Sequence, residues 1–235
     1  MNLFIEHDAA TLARLSGAPP PDCQTIIVKH GDASNVLASS HAGNPLSGDW
    51  LVDLDVPGDR ILCWSGTLAP ELFESDPRTW GRVGREALSG FCGEVESQLK
   101  AHDLHLCFHP HARHVLNDVP SCLTFLHSRM GQPFEIALAP ASLLEPSMLD
   151  RLDEHLQRQF EALGGHCAMV LLRDVRVIGG DDDQRSEPAI LGDGLLQRDQ
   201  VRSLLRDHVP AETPIVIDGR HGSAAIARQM EWLTG

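Results

Sequence analysis

The chain has 235 residues, a formal net charge of −14 and the residue usage of an ordinary globular protein. This length suits one large α/β domain or two small ones. The acidic charge disfavours nucleic acid and anionic membrane surfaces as partners, because a polyanion would be repelled.

Short apolar runs separated by polar segments predict seven β-strands. In chain order the runs are Leu3–Glu6, Thr25–Lys29, Ile61–Trp64, Leu104–Phe108, Phe134–Ala139, Cys167–Leu172 and Pro214–Asp218. The run Trp50–Leu54 is a further candidate with a less regular pattern. Runs that are apolar throughout, rather than alternating, are typical of strands buried on both faces.

Helix-like segments lie between these runs. Trp80–His102 places its apolar residues at helical spacing, and Pro120–Met130 is a shorter segment of the same kind. Ser147–Leu163 begins at a residue suited to an N-cap and ends before Gly164-Gly165, a stop signal. Two more predicted helices, Gln197–His208 and Ser223–Leu233, lie near the end of the sequence.

The alternation of strands and helices predicts a parallel sheet with crossover helices, closed into a (β/α)8 TIM barrel that is irregular or truncated in its N-terminal third. A doubly wound open sheet is the alternative. Neither a GxGxxG after the first strand nor a P-loop is present, which disfavours a dinucleotide site. The segments closest to linkers, Ala18–Asp22 and Ser34–Asp49, do not separate two self-sufficient halves, so residues 1–235 are predicted to form a single domain.

The N-terminal segment MNLFIEHDAATLARL has no basic region and no long apolar run, so neither a secretory signal nor a transmembrane span is expected. The six cysteines form no CxxC pair and no zinc-ribbon spacing. Free thiols in a reducing cytoplasm are therefore expected. The acidic run Asp181–Asp183 lacks EF-hand spacing and is expected to be a solvated loop.

Polar groups follow almost every predicted strand, at the end where (β/α) barrels carry their functional residues. The strand ends read Glu6-His7-Asp8, Lys29-His30, Trp64-Ser65-Gly66, His109-Pro110-His111, Ala139-Pro140-Ala141-Ser142, Arg173-Asp174 and Asp218-Gly219-Arg220-His221. Imidazole, carboxylate and guanidinium groups together are more than a barrel needs for stability. These residues are predicted to form the rim of a pocket.

The segment LHLCFHPH, in which an apolar strand breaks into His109-Pro110-His111, is the most informative of these ends. The two histidines can be metal ligands or proton carriers, or can cap the strand end by bonding backbone groups. Asp218 is the best single functional carboxylate, with a structural ion pair to Arg220 or Arg173 as the alternative. Trp64 offers a flat wall to a sugar or, alternatively, packs inside the barrel.

The order of segments from about residue 60 to residue 235 resembles the xylose isomerase-like barrel family, which includes sugar and sugar-phosphate isomerases and epimerases and the family-2 apurinic endonucleases. The strand ends above carry the resemblance, together with Leu191-Gly192-Asp193-Gly194, which looks like the LGxG turn of the family's last helix–strand unit. The helix Gln197–His208 and the run ETPIVID then match the layout that follows this turn.

The resemblance implies a divalent metal held by four strand-end ligands: an acidic residue that is usually Glu, then Asp, His and Glu. The first position falls on His109 and the second on Ala139, with Ser142 where a histidine usually follows. The third falls on Leu171 and the last on Asp218. Two ligands are thus replaced by apolar residues, one changes type, and one keeps only its charge.

A remaining site of His109, His111, Asp218 and Asp174 would suit zinc better than manganese or magnesium, because the harder cations require several oxygen ligands. A pocket with no metal is the alternative.

The resemblance implies an isomerase or epimerase acting on a small polyol or sugar. Asp218 would then be the general acid or base, and His109 and His111 would bind metal or move protons. Arg173 would hold an anionic group, and Trp64 and His30 would complete the substrate-binding set. The alternative is a non-catalytic barrel that binds a small molecule or a protein partner. An endonuclease-like role is disfavoured because the chain lacks a basic groove.

Overall fold

The computed structural model describes residues 1–16, 23–41, 43–48, 50–180 and 184–235. The strands are β1 (Leu3–Asp8), β2 (Thr25–Lys29), β3 (Asp32–Ser40), β4 (Arg60–Trp64), β5 (His105–His109), β6 (Phe134–Leu138), β7 (Met169–Leu171), β8 (Asp174–Ile178), β9 (Arg185–Ala189) and β10 (Ile215–Asp218). Eight of them close into a barrel in the order β1-β10-β7-β6-β5-β4-β3-β2, while β8 and β9 form a separate hairpin. The predicted closed barrel, irregular in its N-terminal third, is confirmed.

The helices are α1 (Ala9–Ser16), α2 (Arg82–Ala101), α3 (Val119–Ser128), α4 (Leu152–Leu163), α5 (Arg198–His208) and α6 (Ser223–Thr234). All but α1 were predicted. A capping box starts α3, in which Asp118 accepts a hydrogen bond from the backbone N–H of Ser121 at 2.8 Å. The prediction that Ser147 is the N-cap of α4 was wrong. Ser147 lies inside the 3₁₀ turn Pro146–Arg151, and α4 begins after this turn. Within the described residues, no helix is long and apolar enough to cross a membrane.

The first three strands correct the expectation of an all-parallel sheet. β2 pairs antiparallel with both β1 and β3, while the other neighbours in the barrel pair in parallel. A tight turn at His30-Gly31 joins β2 to β3, and Gly31 has the positive φ of +80° that hairpin turns require. No crossover helix is needed here, because antiparallel strands can be joined directly.

Two predictions of local structure are corrected: one segment predicted to be linker-like contains a strand, and one candidate strand does not form. The linker-like Ser34–Asp49 contains most of β3. Trp50–Leu54 forms no strand, although Trp50, Val52 and Leu54 pack against the core. The predictions for Ala18–Asp22 and Asp181–Asp183 lie outside the described residues.

Two apolar layers build the molecule, one between the barrel and its helices and one inside the barrel. The inner layer includes Phe4, Leu62, Cys107, Ala137, Met169 and Val216. Because side chains alternate along a strand, the residues two positions further on also face the interior, one level closer to the carboxyl ends. Those residues are Glu6, Trp64, His109, Ala139, Leu171 and Asp218. The barrel is thus filled below by apolar side chains, and at its mouth four of the six, Glu6, Trp64, His109 and Asp218, carry a polar group.

Candidate functional site

A cavity of about 590 Å³ opens at the mouth of the barrel, and its size suits a small ligand. Glu6, Trp64, His109 and Arg173 line it from the ends of the parallel strands. The hairpin β8–β9 forms another part of the wall through Arg185–Pro188.

The aromatic side of the cavity is formed by β4 and β5. Trp64 and His109 are neighbours in register, which brings their rings together. The rings stack with centroids 4.0 Å apart and an interplanar angle of 26°. Phe73 meets the edge of Trp64 at 5.1 Å, and His111 meets it at 5.8 Å. The result is an aromatic wall on this side of the cavity.

His109 carries a polar contact on this side, because its Nε2 lies 2.9 Å from Oγ of Ser142. Burial holds the pKa of His109 well below its ordinary value, and the nearby charges of His111, His114 and Arg173 add to the effect. His109 is therefore a neutral imidazole at physiological pH.

Two further histidines belong to this side, His111 at the cavity and His114 buried beneath it. Nδ1 of His111 accepts a hydrogen bond from the backbone N–H of Arg113 at 3.1 Å, so in the neutral ring the proton is on Nε2. Burial, followed by the charges of His114 and Arg113, lowers the pKa of His111 to about 3. The fully buried His114 donates from Nε2 to the carbonyl of Leu72 at 2.8 Å, and burial lowers its pKa to about 4. His114 thus anchors the loop that follows β4.

The charged side of the cavity is built on β1, β10 and β7, which are neighbours in the barrel. Arg173, only 8% exposed, donates to the carboxylate of Glu6 and places its Nε 3.6 Å from Oδ2 of Asp218. Its Nη1 also donates to the carbonyls of Leu172 and Val216, at 3.0 and 3.2 Å. Every nitrogen of this guanidinium therefore faces an oxygen of the protein.

Asp218 is held by a second arginine. Its oxygens accept hydrogen bonds from Nη2 and Nε of Arg220 at 2.6 and 3.0 Å. Burial alone would raise the pKa of Asp218, but the Arg220 hydrogen bonds and the charge of Arg173 outweigh it and lower the pKa to about 2. Asp218 is thus ionised, paired with both arginines and a weak base. Of the two alternatives for this residue, the contacts are those of a structural ion pair.

The two sides face each other across the cavity. In the closed barrel, three strands separate β1 from β5 in either direction, so Glu6 and His109 lie on opposite walls. A bound molecule would meet an aromatic surface on one side and paired charges on the other. Such a pocket can stack against one face of a ligand and hydrogen-bond to the other.

The metal expected from the family resemblance does not fit these residues. The four inherited positions do share one inward-facing level, but Ala139 and Leu171 offer only alkyl groups. The remaining two are engaged, His109 by Ser142 and Asp218 by Arg220. In the described part of the chain, no three or more His, Cys, Asp or Glu residues are arranged to hold a metal ion.

Asp174, predicted as a metal ligand, has a different role. It is fully buried, and its oxygens accept hydrogen bonds from the backbone N–H groups of Val175, Gly192 and Leu196 at 2.8 to 2.9 Å. It does not line the cavity. Its carboxylate instead fixes the turn Leu191–Gly194, so the assignment as a ligand is corrected to a structural one.

His30, predicted to bind substrate, lies at the wrong end of the barrel. Because β2 runs antiparallel to β1, its carboxyl end is at the face opposite the mouth. The backbone N–H of His30 donates to Leu3, at the start of β1, and the side chain is exposed. Thr25, from the start of β2, lines the cavity instead and donates to Glu6 at 2.7 Å.

Glu6 and Arg220 were noted at strand ends but not chosen as site residues. The position of Glu6, two residues beyond Phe4 on the first strand, was an available signal, because alternation directs both side chains inward. The cavity residues of β9 carry no such signal, since the segment RSEPA is polar and contains a proline.

The sequence matches no protein-family model and no curated protein. Solved structures do match. The probable 3-DHS dehydratase AsbF of Bacillus anthracis, described as involved in petrobactin synthesis, has a TM-score of 0.56 at 11% identity, covering 85% of this chain and 76% of that chain. The 3-keto-D-glucoside 4-epimerase YcjR of E. coli has a TM-score of 0.52 at 13% identity, with 95% and 81% covered. An L-ribulose 3-epimerase has a TM-score of 0.53 at 14% identity, with 83% and 66% covered.

At these identities the matches show the fold, which is the barrel found in xylose isomerase-like proteins. This chain spans 59% of a xylose isomerase domain protein from Planctomyces limnophilus and 60% of a xylose isomerase-like TIM barrel protein from Mycobacterium smegmatis solved in complex with magnesium. It is therefore similar to these proteins over only part of their length. The fold expected from the sequence resemblance is confirmed.

Proposed function

We propose that the barrel mouth binds a small sugar or polyol between its aromatic and charged sides, without a resident metal ion. The proposal rests on one observation: the stacked pair Trp64–His109 lies across a cavity of about 590 Å³ from the ion-paired Glu6 and Arg173. A sugar presents a C–H face that packs on an aromatic ring and hydroxyl groups that bond to planar charged groups. Two matched structures are sugar epimerases by their descriptions, which supports this ligand class.

The charges of the pocket favour an uncharged ligand over a sugar phosphate. Arg173 is paired with Glu6, and Arg220 with Asp218. At the rim, Arg113 lies 3.4 Å from Glu145. Since each nitrogen of Arg173 already faces a protein oxygen and its charge is paired with Glu6, holding an anionic group is not a role of Arg173 in this proposal.

Replacing Trp64 with leucine is expected to weaken sugar binding about tenfold or more, because the flat stacking surface is lost while the charged side stays intact. Isothermal titration calorimetry against a panel of neutral sugars, polyols and their phosphates measures this change. Trp80→Leu is the matched control, since Trp80 is 39% exposed and does not line the cavity. Equal loss of affinity in both variants, or wild-type binding to none of the panel, would contradict the proposal.

A metal-free sugar isomerase or epimerase is the second candidate, and the opposed placement of Glu6 and His109 favours it. In such a reaction the carboxylate of Glu6 takes the proton from the carbon next to the carbonyl, and the C–H electron pair forms an enediolate. The His109–Ser142 pair would return a proton to the opposite face of that carbon as the carbonyl re-forms, and proton exchange with water would restore both groups. The lowered pKa of His109 keeps its ring without an extra proton to donate, and the carboxylate of Glu6 is already paired with Arg173, so neither group is well prepared for proton transfer. We therefore place binding first.

Proton NMR in D₂O separates the two candidates once a bound sugar is identified. If the protein only binds the sugar, the hydrogen on the carbon next to the carbonyl exchanges with deuterium no faster than in a sample without protein. Deuterium uptake with the wild type that disappears in both Glu6→Gln and His109→Asn would show catalysis, and the enzyme would then replace the binding proposal. The assay contains EDTA, so that contaminating metal contributes nothing.

A further inference from the structure

We infer that the guanidinium group of Arg173 is a built-in cation that takes the place of a divalent metal between Glu6 and Asp218. Four oxygen atoms from three neighbouring strand ends surround this one group: a carboxylate oxygen of each acid and the carbonyls of Leu172 and Val216. Carboxylates and carbonyls are the oxygen ligands that a hard metal ion would use.

The fixed charge explains why two acidic side chains can lie together in the mouth of this barrel. The side chains of Glu6 and Asp218 are only 13% and 4% exposed, and two buried carboxylates would repel each other without a cation between them. A guanidinium stays charged at all physiological pH values, so the positive charge is always present. No metal supply is required.

The same charge opposes entry of a metal ion. A divalent cation bound to Asp218 would lie close to the guanidinium groups of both Arg173 and Arg220, which are 3.6 and 2.6 Å from its carboxylate. Repulsion between positive charges this close together disfavours metal binding. The cation would also have to break the hydrogen bonds of Arg173. The inference concerns the protein's own residues and does not depend on which ligand enters the cavity.

Thermal unfolding with 1 mM MnCl₂ or with EDTA tests this inference on the wild type, Arg173→Ser and Arg220→Ser. The wild-type Tm is expected to be equal in the two solutions. Arg173→Ser is expected to lose about 10 °C in EDTA, because it leaves the buried Glu6 without its ion-pair partner and Asp218 with Arg220 alone, and to regain about 3 °C or more with Mn²⁺. Bound Mn²⁺, counted by electron paramagnetic resonance, should rise only in Arg173→Ser.

Arg220→Ser is the matched control, since it also removes a guanidinium from Asp218 but leaves the cation between the two acids in place. Arg173→Lys, which keeps a positive charge, should stay insensitive to Mn²⁺. If Arg173→Ser is isolated unfolded, refolding yields in Mn²⁺ and in EDTA give the same comparison. Stoichiometric metal in the wild type, or no greater Mn²⁺ response in Arg173→Ser than in Arg220→Ser, would overturn the inference.

Discussion

Replacing Asp174 with alanine is expected to lower the free energy of unfolding by about 4 kcal/mol, a large part of the stability of a typical domain. The buried carboxylate accepts three backbone hydrogen bonds, from Val175, Gly192 and Leu196, and alanine leaves all three donors without this partner. The turn is built closely around the carboxylate, since a Cβ added to Gly194 would collide with it. Urea unfolding followed by circular dichroism measures the loss.

Asp174→Asn is the control for this change, because it keeps one carbonyl oxygen in the same place and should retain part of the stability. The ligand affinity of folded Asp174→Ala should match that of the wild type, since Asp174 does not line the cavity. An alanine variant within about 1 kcal/mol of the wild type would show that the turn does not depend on the carboxylate.

Lowering the pH from 7 to 4 is expected to destabilise the protein by on the order of 3 kcal/mol for each of His111 and His114. Their pKa values in the folded protein, about 3 and about 4, lie below the ordinary 6.5. Between these limits the unfolded chain binds more protons than the folded one, so stability falls as the pH drops below about 6.5. Burial also lowers the pKa of His109, which adds to the loss in the same direction.

Urea midpoints measured at intervals from pH 7 to pH 4 follow this loss. His114→Gln, which retains a donor for the carbonyl of Leu72, should flatten the pH dependence, whereas His166→Gln at an exposed position should leave it unchanged. A stability that is constant between pH 7 and pH 5 would contradict the assignment of these histidines as buried and neutral.

The sequence pattern predicts the barrel well where strands are apolar throughout. The segments that became β4, β5 and β10 are short runs buried on both faces, so their pattern follows directly from their place in the sheet. Their carboxyl ends form the mouth, and for this reason Trp64 and His109 could be placed at the pocket before the structure was known.

The apolar pattern does not predict a strand that is partly polar and exposed. β3 begins with Asp32-Ala33-Ser34-Asn35, all exposed, and is held by pairing with β2 rather than by burial of its first half. The direction of β2 was equally hidden, because an apolar run reads the same in a parallel and an antiparallel strand. That direction places His30 at the far end of the barrel and Thr25 at the cavity.

Which groups each side chain of the site contacts depends on packing, and residue types alone do not predict it. Arg173 and Asp174 are adjacent in the sequence, yet the first faces the cavity and the second the turn at Gly192. The alternation of side chains along a strand explains this divergence, but only after the end of β7 is known to within one residue.

The closure of the barrel between its first and last strands has a consequence for folding. β1 forms one of its two pairings with β10, in the register Leu3 with Ile215 through Glu6 with Asp218. Until the ribosome has released the chain as far as β10, β1 has one partner, β2, and a free edge rich in apolar residues. Contacts so distant in sequence form slowly, so we expect this edge of β1 to stay open to aggregation until β10 pairs with it.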